Sequence, residues 1–203
     1  MSRWMRKAPR NPELAKRWAA FLSNYREAIA AMDLLTMPTL TFSVLYCFFV
    51  IAHERRHILH FNVTRHPTSA WGIQQLRESF PYDRALGFLI FDRGANFSAE
   101  VVEAIKSFRI HPKRTSFQSP WRNGALSVSS ALADAICSIM WSPSMSGTGS
   151  ADFVRSYHDD RTHLGLGKQT PNRRKAALGT TPNVSVVSVL RLGGLHHCYD
   201  LAA

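Results

Sequence analysis

The sequence predicts an α/β domain. Two apolar runs each end in an aspartate, Ala28-Ile29-Ala30-Ala31-Met32-Asp33 and Leu86-Gly87-Phe88-Leu89-Ile90-Phe91-Asp92. Short apolar runs of this kind read as buried strands that deliver a carboxylate to the edge of a sheet. Three strand-like segments come in succession early in the chain, and helical and strand patterns alternate after them. A length of 203 residues, 45% of them hydrophobic, fits one domain of ordinary size plus ends.

The elements follow in order. Residues 1–10 are basic and broken by Pro9 and Pro12. Pro12-Glu13 opens a short helix whose apolar face is Leu14, Trp18, Phe21 and Leu22. Strands are predicted over Ala28–Leu35, Phe42–Ala52 and His57–Val63, with His53-Glu54-Arg55-Arg56 as a polar turn; rich in Phe, Val, Ile and Tyr, they form an antiparallel meander. A helix starts at Pro67-Thr68 and runs through Trp71, Leu76 and Phe80. Leu86–Asp92 is the fourth strand. Ser98–Phe108 is a helix capped by Ser98, with Glu100 in its first turn, and Ile110–Thr115 is a fifth strand. An apolar stripe of Val128, Leu132, Ile136, Ile139 and Met140 permits a further helix up to Pro143. The tail is polar from Lys168 to Thr181, and residues 184–190 alternate well enough for one late strand.

Lys+Arg 25 against Asp+Glu 14 gives a net charge of +11, and the pI is near 10.2. That excess favours a polyanionic partner, most commonly nucleic acid. Cys47, Cys137 and Cys198 are too few and too scattered for a disulfide framework or a zinc cluster, and suit a reduced cytosol. The longest apolar stretch, Leu40 to Ala52, contains Thr41 and Ser43 and falls short of the ~20 residues of a membrane span. The basic N-terminus lacks the apolar core of a signal peptide. The expectation is a soluble cytoplasmic protein, nucleoid-associated if bound to DNA, with no membrane partner. Adjacent His196-His197 do not converge on one metal ion without other ligands.

Four segments carry a family resemblance: Ala31-Met32-Asp33-Leu34-Leu35-Thr36, Leu89-Ile90-Phe91-Asp92-Arg93-Gly94-Ala95-Asn96-Phe97, Ser119-Pro120-Trp121-Arg122-Asn123-Gly124 and Tyr157-His158-Asp159-Asp160-Arg161-Thr162-His163-Leu164-Gly165-Leu166. In this order and spacing they resemble the catalytic core of integrases and transposases with an Asp…Asp…Glu triad, in the ribonuclease H-like superfamily. The resemblance implies a mixed sheet with helices on both faces; the pattern alone gives only α/β. It also implies DNA as partner, leaves room for a homo-oligomer, and makes the chain look truncated, because relatives usually carry a helix-turn-helix unit upstream.

The family's chemistry is phosphoryl transfer on DNA, with two Mg²⁺ ions about 4 Å apart at the attacked and leaving oxygens. By resemblance, Asp33 bridges both ions, Asp92 holds one and a glutamate holds the other; Mn²⁺ is the alternative metal. The family places that glutamate a few residues after the Asn-Gly, at the position of Ser127, 35 residues after Asp92. A serine hydroxyl is a neutral, poor substitute, and the site then keeps two formal negative charges. Asp134 lies two helical turns farther on, roughly 10 Å along an axis. Asp152 falls after Pro143 and two glycines, in a segment with no predicted helix. Neither replaces the glutamate. Arg3, Arg6, Lys7, Arg10, Lys113, Arg114 and Arg122 are the candidate phosphate contacts.

The 32 residues between Arg122 and Arg155 contain no Lys, Arg, His or Glu, although the chain is basic. Family-like text stands on both sides of this alien stretch, which points to a reading-frame change over about 125–152 that was later restored. The expected organisation is a basic N-terminal helical segment over 1–27, an integrase-core-like domain over 28–165 and an irregular tail over 166–203. Two functions stay open: a transposase or integrase catalytic core for DNA integration and recombination, or a catalytically inactive DNA- or partner-binding remnant of a mobile element.

Overall fold

The computed structural model describes residues 12–38, 43–80, 86–92, 97–115, 148–174, 185–191, 194 and 196–202. Two compact units divide the chain, Met1–Ser129 and Ser130–Ala203.

In the first unit, helix α1 (Pro12–Asn24) leads through a 3-10 turn (Arg26–Ala28) into strands β1 (Ile29–Pro38), β2 (Val44–Ala52) and β3 (Ile58–Thr64). Helix α2 (Ser69–Ser79), strand β4 (Phe88–Phe91), helix α3 (Ala99–Ser107) and strand β5 (His111–Arg114) follow. The sheet order is β3-β2-β1-β4-β5. β1 pairs antiparallel with β2, and β2 with β3; β1–β4 and β4–β5 are parallel. This is the predicted meander followed by alternating helix and strand, a mixed α/β sheet.

Why β1 is apolar without alternation is answered by its two coverings. Ala30 and Met32 join Phe48, Val50, Leu89 and Phe91 beneath Leu76 of α2 and Val101 and Ile105 of α3. On the opposite face Ile29, Ala31 and Ile90 lie under Trp18, Phe21 and Leu22 of α1. A strand buried on both faces needs a continuous apolar run. Of the apolar stripe read along α1, Trp18, Phe21 and Leu22 dock while Leu14 is exposed, and the Phe21 ring lies edge-on to Phe88 at 5.0 Å.

α2 begins as predicted: the Thr68 hydroxyl accepts from the Trp71 N–H at 3.1 Å. It is fastened to β3 by buried Gln75, whose Oε1 accepts from Asn62 Nδ2 at 2.7 Å and lies 2.9 Å from His60 Nε2. The start of α3 differs from expectation. Ser98 occupies the cap position with extended backbone but makes no side-chain cap bond. Its hydroxyl instead meets that of Ser69 at 3.2 Å, joining the starts of the two helices.

The second unit contains helix α4 (Thr148–Asp159), a 3-10 turn (Leu164–Leu166) and strands β6 (Ser185–Arg191) and β7 (His196–Ala202). Two expectations are corrected here. Asp152 sits within α4, which forms despite its poor helix formers because Phe153 and Tyr157, four apart, bury one face. The tail is not irregular throughout, since β6 and β7 pair antiparallel about Val189 and Cys198. Asp160 ties the unit together, accepting from Arg174 Nη1 at 3.2 Å and Arg191 Nε at 2.7 Å. Although burial opposes it, the bond from Arg191, a bond with Cys198 and the two guanidinium charges hold its carboxyl below the usual range. Among the described residues no helix is long and apolar enough to cross a membrane.

Candidate functional site

The register fixes where the two predicted acids stand. Ala31 of β1 pairs with Ile90 of β4. Two residues farther along come Asp33, within β1, and Asp92, just past the end of β4. Strand alternation puts Asp33 on the face of Ile29 and Ala31, past the cluster covered by α1. Ile90 likewise pairs with Lys113 of β5, so Thr115 is level with Asp92 on the next strand. Thr115 is buried, and its N–H donates to the Phe91 carbonyl at 2.9 Å. Three oxygen-bearing side chains thus belong to three neighbouring strands of the sheet: Asp33 within β1, Asp92 just after β4 and Thr115 just after β5. Sequence reading missed Thr115; counting two residues on from Lys113 would have found it once the strand pairing was known.

Electrostatics mark the pair. Burial pushes the Asp33 carboxyl up to about 6 from 3.8; the Leu34 N–H, donating to its Oδ1 at 2.8 Å, opposes the rise, and the nearby charge of Asp92 adds to it. A buried carboxyl beside a second carboxylate forms a site that a hard divalent cation relieves, through oxygen ligands and with room for water. Among the described residues no group of three His, Cys, Asp or Glu side chains converges. Among the described residues, the carboxylates at this site are Asp33 and Asp92.

The candidate cations separate. Lys113 and Arg114 are neighbours on a strand and face opposite ways. The Lys113 ammonium lies 5.9 Å from the Phe21 ring centre and 5.6 Å from that of Phe88, on the face of the acids and one pleat behind them. Arg114 turns to the other face, over Phe91 at 5.6 Å, and donates to the Phe97 carbonyl at 3.0 Å. The two do not form one phosphate-binding patch. Ser127, Arg3, Arg6, Lys7, Arg10, Arg122 and Asp134 lie outside the described residues, as does the 125–147 part of the alien segment.

The fourth matching segment belongs to the second unit and is a packing motif there. Tyr157 and His163 are buried, with ring centres 5.2 Å apart, and Arg161 sits 5.9 Å above the Tyr157 ring. Asn172 closes the segment, its N–H donating to the His158 carbonyl at 3.0 Å and its Nδ2 to Asp159 Oδ1 at 2.6 Å.

Solved structures match this arrangement. A chain of the simian T-cell lymphotropic virus intasome, in complex with the PP2A regulatory subunit B56 gamma, aligns at TM-score 0.59 and 12% identity, over 87% of this chain and 67% of that one. The HTLV-2 integrase catalytic core domain in complex with magnesium aligns at 0.55 and 10%, over 73% and 95%. The catalytic core domain of BIV integrase aligns at 0.55 and 14%, over 72% and 91%. The fold is that of an integrase catalytic core. At these identities the likeness is one of fold, the ribonuclease H-like α/β architecture. No protein-family model and no curated protein matches the chain.

Proposed function

We propose that this chain is the core of a DNA transposase or integrase, in which Asp33 and Asp92 share a divalent cation, Mg²⁺ or Mn²⁺. The observation that carries the reading is the placement of the two acids two residues past the Ala31–Ile90 pair of adjacent parallel strands, one of them with its proton affinity raised by burial and by the other. The fold likeness supports it. Such an ion supplies charge neutralisation at a phosphate undergoing attack. The protein's own contributions are to hold the ion with Asp33 and Asp92 and to place Thr115 beside the latter. Lys113 stands on the same face, where it meets a DNA phosphate. On this reading the core runs over about 28–165, with 1–27 and 166–203 as additions, and a homo-oligomer is compatible with it.

A specific observation favours a second version. Ser127 occupies the position of the family's glutamate, leaving two carboxylates where the chemistry uses three. On that ground we infer that the chain binds DNA and metal but cleaves poorly or not at all, as the remnant of a mobile element. Mg²⁺- or Mn²⁺-dependent nicking of duplex DNA, with Asp92→Asn as control, decides between the two. Nicking lost in Asp92→Asn establishes the active core. No nicking, with DNA binding retained, establishes the remnant.

A further inference from the structure

The β6–β7 hairpin has an outward face that the catalytic reading does not use. Val186, Ser188 and Leu190 of β6 stand opposite Leu201, Tyr199 and His197 of β7. Val186, Leu190 and Tyr199 are 66%, 64% and 66% exposed. The His197 and Tyr199 rings stack, centres 6.5 Å apart and planes 22° from parallel. His197 Nδ1 is 2.7 Å from the Ser188 hydroxyl, which fixes that ring against the neighbouring strand. The inward face holds the hairpin down: Cys198 is buried there, and Asp200 is bonded to Arg174.

A cavity of about 810 Å³ is lined by residues of β7, His197 to Leu201, together with Lys168, Gln169, Thr170 and Arg173. Its two carboxylates are committed within the protein, Asp160 to Arg174 and Arg191 and Asp200 to Arg174. Lys168 and Arg173 are exposed and form no ion pair with a described residue. Both stand at positive φ, 64° and 55°, a backbone region that costs energy for side chains of this size.

We propose that this face is a contact site for an unpaired DNA strand, with a base stacked on Tyr199 and phosphates on Lys168 and Arg173. An exposed aromatic platform accepts any base, and cations on the rim track the backbone. The volume suits one nucleotide, and the surplus positive charge matches a phosphate better than an apolar peptide. The proposal takes from the functional reading only the choice of polymer, because the carboxylate pair plays no part in it.

The test measures binding of a fluorescently labelled oligo-dT strand to the full chain by anisotropy. Tyr199→Ala lowers affinity about tenfold, while Tyr199→Phe, which keeps the ring, stays near the parent. Lys168→Ala with Arg173→Ala lowers the slope of log affinity against log salt by about 1.4. The titrations are run in EDTA, without divalent ions, so failure of the metal site and failure of this site are distinguishable. Ultraviolet cross-linking of a bromodeoxyuridine-containing strand to the unaltered chain gives a cross-linked peptide containing His197–Tyr199, whatever the variants do to folding. No oligo-dT binding at low salt, parental affinity in both Tyr199→Ala and the double cation variant, or cross-links confined to other segments would each overturn the proposal. So would displacement of the strand by free dTMP at equal nucleotide concentration, which assigns the pocket to a free nucleotide, or by an extended apolar peptide, which assigns β7 to protein pairing.

Discussion

Asp33 and Asp92 each stand two residues past the Ala31–Ile90 pair of two adjacent parallel strands. Burial, with the nearby charge of Asp92, raises the cost of ionising Asp33, and its carboxyl rises to about 6. That cost is present in the protein without metal and is relieved by a cation.

The first prediction concerns stability. Asp33 binds its proton more tightly folded, at about 6, than at its ordinary 3.8. Between those values the folded state carries more protons than the unfolded one, so this group's contribution to stability falls as pH rises from about 4 to about 6 and stays lost above. Asp33→Asn removes the penalty. At neutral pH and without divalent ions the variant should be more stable than the parent by at most about 3 kcal/mol, the two converging below pH ~4. Thermal or denaturant unfolding across that range checks it; a variant less stable than the parent at pH 7 contradicts it.

The second prediction separates two neighbouring cations. Arg114→Ala loses the bond to the Phe97 carbonyl and the contact over Phe91. It should cost about 1–2 kcal/mol of stability with DNA affinity unchanged. Lys113→Ala should cost less stability and lower the salt dependence of duplex DNA binding by about one counterion. Unfolding curves and salt titrations of the two variants check this; equal salt slopes in both would refute the split.

How much of this was legible in the residues follows from their local signals. Both acid-terminated runs announced β1 and β4, because burial on two faces leaves a run without polar interruption; β4 stops before its acid, whereas β1 continues past Asp33 to Pro38. Thr68 was readable as a cap because a hydroxyl before a helical pattern has a local partner, whereas Ser98 had a competitor in Ser69 that only folding brings near. The opposite facing of Lys113 and Arg114 was implicit in assigning them to a strand, but their listing as joint phosphate contacts ignored the alternation. β7 was illegible because His196-His197-Cys198-Tyr199-Asp200 shows no apolar period; its pairing with β6 defines it. α4 was hidden by Gly147 and Gly149, and tertiary burial of Phe153 and Tyr157 overrides that local weakness.

The third prediction addresses Ser127. A frame that takes the last base of one codon and the first two of the next reads Met140-Trp141 as valine. It reads Leu126-Ser127 as glutamate only if the serine codon is AGY and the leucine codon ends in G. The encoding gene should therefore carry a base lost or gained just after Gly124, compensated before Phe153. A TCN codon at Ser127 excludes it. If the frame change is real, Ser127→Glu alone should leave nicking absent, because the segment around it is foreign as well.

The central claim is that Asp33 and Asp92 share one divalent cation, and titration of the metal-free chain with Mn²⁺, followed by electron paramagnetic resonance at neutral pH, tests it most directly. The account predicts a saturable site that is lost in Asp92→Asn and in Asp33→Asn and weakens as pH falls through about 6, where Asp33 takes up its proton. Undiminished Mn²⁺ binding in Asp92→Asn, or no saturable binding in the parent, would contradict it.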